Sequence, residues 1–411
     1  MTTPDLSTPD LSTPDLTTPD LSTLDLTGLA TRPAQSWGAV RLVPLVREQP
    51  ITDLRLHRRL YPSDGGPSVV RLDDRSTYTS YIPHGFVADW TRDGTAAAAY
   101  GTQLDVAEHP RSVPLQPRGQ HRMARREDRT RLRFLPLHLA LEGYLALHFN
   151  GPVIAWREWS QRAIRQGLSP RAEEAYFGGE VSGLADALRI FEIHPGQCGV
   201  LLYVADALAA AFVVPHPEDY RALHPSLLHD LYGELVHHYT ALMLPLPAFR
   251  ASIPGPGIRT LAQLRAAAEQ QEREWAEFHD TTMAAGLLAD EHTVSTVYRM
   301  GRFTLNRFLP GFQLKRENHL GETITDEHGR LAYLKTFRLS ENQTRRGHLL
   351  SRLAAHDWHL ARTAEALGVT EAVLGLRLES AGFGRLLRQD VLDGFRKQVR
   401  AGSGPTASRP V

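Results

Sequence analysis

The sequence has a single cysteine, Cys198, among its 411 residues, which excludes an intramolecular disulfide and a structural zinc site with two thiolates. Its formal net charge is zero, with 46 basic and 46 acidic residues, so binding to nucleic acid or membrane must depend on local patches. The N-terminus lacks the basic start and apolar core of a secretory signal. The longest apolar run, residues 203–215, contains Asp206 and is too short to span a bilayer. We therefore expect a soluble, cytoplasmic protein without a membrane partner.

The sequence also lacks the motifs of common catalytic and cofactor sites: a phosphate loop, a dinucleotide fingerprint, HExxH and GxSxG. Cys198 opens an apolar stretch without a nucleophile motif, which favours a position in the core. Glu234, His237 and His238 share one helix face, but no second helix offers matching carboxylates, which favours an exposed polar face over a metal site. We predict no catalytic residue, no metal and no cofactor, and we favour a binding role over an enzymatic one.

The N-terminal segment has little that can form regular structure. Residues 3–26 repeat a five-residue unit of the type TPDLS, and proline occupies the first four units. Proline fixes φ and removes a backbone donor, and leucines with a period of five cannot line one face of a helix or strand. We interpret residues 1–35 as a disordered tail.

Residues 36–340 combine strand and helix patterns, which predicts an α+β domain. Residues 36–46 and 76–82 are typical of strands. Residues 197–215 predict a hairpin that turns near Ala205 and Asp206, and residues 321–337 predict another with an Asp-Glu-His-Gly turn.

Two helices are predicted within this domain. Residues 217–243 begin with Pro-Glu-Asp, which suits a first helical turn. Residues 258–288 are amphipathic, and we expect one face of this helix to point inward, with Leu261, Leu264, Ala268, Trp275 and Phe278.

The stretch 194–231 resembles a known family. It contains a Gly-Gln-x-Gly strand, a turn, a second strand, and a helix that opens Pro-Glu-x-aromatic with a proline before Leu-Leu; the residues are Gly196, Gln197, Gly199, Pro217, Glu218, Tyr220, Pro225, Leu227 and Leu228. This arrangement resembles the ARPP domain, which is associated with ADP-ribosylglycohydrolase and rhodanese-phosphatase proteins. The resemblance implies an α+β domain from bacterial conflict or regulatory gene neighbourhoods, without a settled biochemical activity.

Two further features of this domain invite a binding interpretation. Residues 111–133 carry eight arginines, a run that could meet phosphates but is more typical of a solvated loop or helix face. Glu142 lies in an apolar stretch with His148 six residues later, on the same face if this is a strand. A buried carboxylate requires a partner, so Glu142 and His148 are candidates for a ligand-binding site. The favoured alternative is that Glu142 lies at a sheet edge or in a turn beside Gly143.

Residues 341–400 predict a small all-helical domain, followed by a disordered tail over 401–411. The pattern over 345–387 is similar to the Fis-type helix-turn-helix. We expect a first helix over 346–355 and a second helix capped by Asp357. Gly368 then permits a tight left-handed turn, and Thr370 caps the helix that would read DNA.

The DNA-reading surface departs from the Fis-type pattern. That pattern usually opens with Ser-Arg and carries an aromatic and two basic residues, whereas this sequence has Glu371, Gly375 and Leu376, with Arg377 as the one basic residue. The residues predicted to contact nucleic acid are Arg362, Thr370, Glu371 and Arg377. The Glu371 carboxylate could accept a hydrogen bond from cytosine, but its charge would repel phosphates.

Three functions remain open at this point. The first is a bacterial DNA-associated regulatory or conflict-system accessory protein, with an α+β sensor or docking domain and a DNA-binding end that would benefit from a homo-oligomer. The second is a protein-interaction module whose helices pack on their own domain or on a partner. The third, which depends on the family resemblance alone, is an enzyme or binder of ADP-ribose or phosphate esters.

Overall fold

A computed structural model of the protein describes residues 20–37, 40–56, 69–73, 76–79, 87–89, 96–98, 124–126, 131–134, 191–204, 207–226, 252–253 and 255–402. The candidate ligand-binding residues Glu142 and His148 lie outside these ranges, as do the histidines of residues 229–238. Two segments of the arginine-rich run, residues 124–126 and 131–134, are described as strands.

The strands, numbered along the chain, are β1 (Asp20–Ser22), β2 (Leu29–Thr31), β3 (Gln35–Trp37), β4 (Val40–Arg47), β5 (Arg55–Leu56), β6 (Val69–Asp73), β7 (Ser76–Thr79), β8 (Val87–Asp89), β9 (Ala96–Ala98), β10 (Ala124–Arg126), β11 (Arg131–Phe134), β12 (Gln197–Val204), β13 (Ala207–Val213), β14 (His292–Met300), β15 (Phe303–Leu309), β16 (His319–Asp326) and β17 (Leu331–Arg338). The helices are α1 (Pro217–Ser226), α2 (Leu261–Phe278), α3 (Ala285–Leu288), α4 (Glu341–Ala355), α5 (Leu360–Ala366), α6 (Glu371–Leu378) and α7 (Gln389–Gly402).

In the described part of the chain, ten strands form one sheet in the order β1-β14-β15-β16-β17-β13-β12-β4-β2, and β3 also pairs with β4. Every pairing within this sheet is antiparallel. Strand β17 lies between β13 and β16, so the C-terminal strands join the N-terminal ones in a single layer. The predicted α+β class is confirmed.

The main core lies between one face of this sheet and helix α2. Val43, Leu201 and Phe308 of the sheet belong to one buried cluster with Trp275 of α2. Such burial stabilises by roughly 25 cal/mol per Å² of apolar surface. Thr260 caps α2: its Oγ1 accepts from the amide of Gln263 at 3.2 Å, while the Gln263 side chain accepts from the Thr260 amide at 3.1 Å.

The inward face predicted for this helix is wrong over most of its length. Trp275 is buried with 7% exposure, whereas Leu261, Leu264 and Phe278 expose 62%, 42% and 41%. An amphipathic period defines a face of a helix but does not supply the surface that covers it.

Both predicted hairpins are present. The all-buried strand β12 pairs with β13, and Val204 faces Ala207 at the turn. At the second hairpin, Oδ1 of Asp326 accepts from the amides of His328 at 3.0 Å and Arg330 at 2.9 Å. Gly329 has a φ of +78°, the left-handed conformation that glycine adopts without a Cβ penalty. The Asp-Glu-His-Gly turn prediction is therefore confirmed.

The sheet begins earlier than the sequence predicted. Strands β1, β2 and β3 lie within or overlap the predicted tail over residues 1–35, and they pair with β14 and β4. The repeat-derived argument against a ladder does not hold for Asp20–Ser22, which pairs with β14 although Pro19 directly precedes it. The last repeat unit has leucine in place of proline at position 24, and its Leu24 and Leu26 pack against the core cluster.

A polar chain connects the core to the surface where α2 ends. The Tyr203 hydroxyl lies 2.6 Å from Nε2 of His279, and Nδ1 of His279 lies 2.7 Å from the Asp280 carboxylate. Burial lowers the pKa of His279 despite the neighbouring carboxylate, and burial raises that of Tyr203. His279 opens a single π-type turn, His279–Met283, which its bonds to Tyr203 and Asp280 hold in place.

Candidate nucleic-acid interface

Helices α4 to α7 form the C-terminal helical unit, residues 341–402. Ser340 caps α4 through a reciprocal pair of bonds: its Oγ accepts from the amide of Gln343 at 3.2 Å and its own amide donates to the Gln343 side chain at 2.9 Å. Gly347 of α4 lies against the ring of Phe312, which is buried, and a Cβ at position 347 would overlap that ring. This contact fixes the unit to the loop between β15 and β16.

The turn between α4 and α5 departs from the prediction. Asp357 does not cap α5; it adopts a φ of +53°, and Trp358 adopts +60°. The cap is His359, whose Nδ1 accepts from the amide of Arg362 at 3.4 Å. An Asp is a frequent cap, but two left-handed residues here move the start of α5 past it. The Asp357 capping prediction is therefore wrong.

The turn between α5 and α6 matches the prediction. Gly368 has a φ of +63°, and its amide donates to the Glu365 carbonyl at 2.9 Å. The amide of Val369 donates to the Ala364 carbonyl at 3.0 Å. Thr370 then caps α6, since its Oγ1 accepts from the amide of Val373 at 3.3 Å.

All four predicted nucleic-acid contacts are exposed: Arg362, Thr370, Glu371 and Arg377. Thr370 and Arg377 are seven residues apart and therefore lie on the same side of α6. Glu371 lies about 120° around the helix from Arg377, so the two do not form one surface. Glu371 occupies the first turn of α6, where a carboxylate interacts favourably with the helix dipole.

Helix α7 covers part of α6 and was not recognised in the sequence. Gly375 is buried because the Phe395 ring of α7 packs on it; a Cβ at position 375 would lie 2.7 Å from Cε2 of that ring. Leu376 is half-buried. The missed signal is the helical spacing of four apolar residues in the sequence: Val391, Leu392, Phe395 and Val399.

Several basic residues of the unit form ion pairs, so their positive charge is less available to a ligand. Arg388 binds Asp390 at 2.7 Å, Arg345 binds Glu341, and Arg396 binds Glu379. By contrast, Arg362 and Arg377 form no ion pair with any described residue. Exposed basic residues of the unit that likewise have no such pair are Arg352, Lys397 and Arg400.

The remaining candidate groups do not form a reactive site in the described residues. Cys198 is fully buried, and burial raises the pKa of its thiol, which disfavours the nucleophilic thiolate. No group of three metal-ligating side chains occurs within the ranges that the structure describes. Within the same ranges, no helix has the length and apolar character that a membrane crossing requires.

These features define an α+β protein in which an antiparallel sheet domain precedes a unit of four helices. A model of the ARPP-2 family matches residues 24–301, more than half of the 411-residue chain, and the chain belongs to this family. The match confirms the ARPP resemblance drawn from residues 194–231. Comparisons with curated proteins and with solved structures find no match.

Proposed function

We propose that this protein is a DNA-associated regulatory protein whose C-terminal helical unit acts as a Fis-type helix-turn-helix. The observation that carries the proposal is the exposed side of α6, which begins at the Thr370 cap, directly after the left-handed turn at Gly368. A recognition helix needs this tight turn before it and solvent access to its N-terminal residues and one side.

The charges support phosphate contacts more than base recognition. Arg377 on α6 and Arg362 at the start of α5 are exposed and unpaired among the described residues, so both are available to phosphates. The Thr370 hydroxyl is a further donor near the N-terminus of α6. Glu371 and the buried Gly375 leave α6 with few groups for base edges, which favours weak sequence discrimination in the monomer. A homodimer would double the phosphate contacts.

The test is binding of the full-length protein to genomic DNA fragments over a range of salt concentrations. The double variant Arg362→Ala/Arg377→Ala should weaken binding and reduce the slope of log K against log salt by about 2, since each neutralised phosphate contributes roughly 0.9. Arg388→Ala is the matched control, because Arg388 is exposed but paired with Asp390. A wild-type protein with no salt-dependent binding, or a slope that the double variant shares, would contradict the proposal.

A protein-interaction role is the second candidate, and the covering of α6 by α7 favours it. Leu376 is half-buried, and Gly375 serves a helix contact instead of a ligand. In this case Leu376→Glu should disrupt assembly with a partner or a second copy while DNA binding is absent. Sedimentation of wild type and variant measures this, and unchanged assembly in the variant argues against the second candidate.

A further inference from the structure

Arg47, the last residue of β4, is a buried cation in the α+β domain. It is only 3% exposed. Its Nη2 donates to the Leu331 carbonyl at 2.7 Å, at the first residue of β17. Its Nε is buried and has no hydrogen-bond partner among the described residues. A guanidinium stays protonated in proteins, so its charge must be balanced by its surroundings.

The described surroundings do not balance that charge. Arg47 forms no salt bridge with a carboxylate in the described residues. The thiol of Cys198 interacts with the guanidinium, but burial raises the pKa of this thiol and keeps it neutral. Asp326, a carboxylate that interacts electrostatically with Arg47, binds Arg330, with 3.0 Å between Oδ2 and Nε. An uncompensated buried charge is strongly unfavourable, so an anion from outside the chain would stabilise this site.

A cavity of about 340 Å³ reaches Arg47. One wall is the segment 28–30, and the others include Arg47, Gln49 and Arg330. The two arginines therefore approach the same space from strand β4 and from the hairpin before β17. This volume is at the lower end of the range for small-molecule sites.

We propose that this cavity binds a small ligand through an oxyanion, a carboxylate or a phosphate group, held between Arg47 and the Nη groups of Arg330, whose Nε is the atom that binds Asp326. The planar guanidinium fork matches the two oxygens of such a group. The amide of Gln49 is placed to bind a neutral part of the ligand.

The same cavity disfavours a polyanion such as nucleic acid. Arg47 is almost fully buried, which disfavours contact with an extended backbone, and Glu48 also lines the cavity. That negative charge repels a second anionic group next to the first. The site therefore differs from the DNA surface proposed for α6, and its ligand is independent of DNA binding.

The experiment is thermal unfolding of the full-length protein without DNA, in sodium phosphate or sodium acetate against sodium chloride of equal ionic strength. At a concentration about a hundred times the Kd, the bound anion should raise the Tm of the wild type by roughly 5 °C. Arg330→Gln should weaken the Kd about tenfold by calorimetric titration, because it removes a charged donor at the more exposed wall. Arg47→Met should abolish the shift.

Matched controls separate binding from the general stabilisation that phosphate gives to any folded protein. Arg299→Gln removes an exposed arginine on the distant strand β14 and should leave the anion shift unchanged. If Arg47→Met does not fold, Arg330→Gln carries the test. A shift with phosphate alone or acetate alone identifies the oxyanion class. Equal shifts in the wild type and Arg330→Gln, or no shift with either anion, would overturn the proposal.

Discussion

Phe395 of α7 packs directly on Gly375 of α6, and this contact explains the most unusual residue of the proposed DNA-reading helix. In the sequence, Gly375 stands where a side chain for DNA is expected. In the structure it lies on the opposite side of α6, and its missing Cβ makes space for the Phe395 ring. The glycine is therefore a packing residue, and its presence does not count against a ligand on the exposed side.

Gly375→Ala should destabilise the C-terminal helical unit. The new methyl group would lie 2.7 Å from Cε2 of Phe395, which forces the ring or α7 to move. Overpacking of this kind costs about 1–3 kcal/mol. Urea unfolding measures the loss, and the variant Gly375→Ala/Phe395→Leu should recover part of it. Additive effects of the two substitutions would contradict direct contact.

Gly368→Ala tests the turn between α5 and α6 by a different mechanism. No atom lies within 4 Å of a Cβ at this position, but the φ of +63° is strained for alanine. We expect a loss of about 1 kcal/mol from the backbone alone. Gly368→Asn should cost less, since asparagine tolerates this conformation better. Equal losses of stability in the two variants would contradict the backbone explanation and would indicate a steric clash instead. The open space around position 368 does not predict such a clash.

Tyr203→Phe tests the polar chain at the end of α2. It removes the hydroxyl 2.6 Å from Nε2 of His279 and leaves that nitrogen buried without its partner. We expect a loss of about 1–3 kcal/mol in the free energy of unfolding. Tyr203→Phe/His279→Leu should be less destabilised than the sum of the single variants, because no unpaired polar atom remains. A single variant as stable as the wild type would show that the bond contributes little.

Stability should fall in mild acid because two buried histidines resist protonation. Burial lowers the pKa values of His224 and His292 from 6.5 to about 4. As the pH falls below about 6.5, the unfolded chain takes up protons that the folded chain does not. Each neutral histidine contributes fully to the free energy of unfolding above pH 6.5. This contribution, roughly 3 kcal/mol for each histidine, is lost as the pH falls toward 4.

Urea unfolding at several pH values measures this dependence. His292→Gln removes one of the two groups and should make the fall shallower, whatever its effect on stability at neutral pH. A curve for His292→Gln that runs parallel to the wild type would contradict the role of His292.

Features determined by local chemistry were predictable from the sequence. The Asp326 turn depends on residues within four positions of each other, and so does the Gly368–Thr370 turn; both have the expected conformation. The exposure of Arg362 and Arg377 followed from the same local pattern.

Features determined by distant contacts were not predictable in the same way. Leu261 and Leu264 carry an apolar period, but their exposure depends on how far the sheet extends along α2. The reason for a glycine at position 375 is its contact with Phe395 of α7, a helix that comes later in the chain. The role proposed for Arg47 depends on Leu331 and Arg330, which lie almost 300 residues later in the sequence and come close to Arg47 only through the fold.

The position of β17 has a consequence for any attempt to isolate the family domain. The family match ends at residue 301, but β15, β16 and β17 follow it, and β17 is the strand that joins β13 to the C-terminal half of the sheet. A polypeptide truncated at that residue would leave unpaired edges on β13 and β14, which invite aggregation. The smallest fragment expected to fold therefore extends through Arg338.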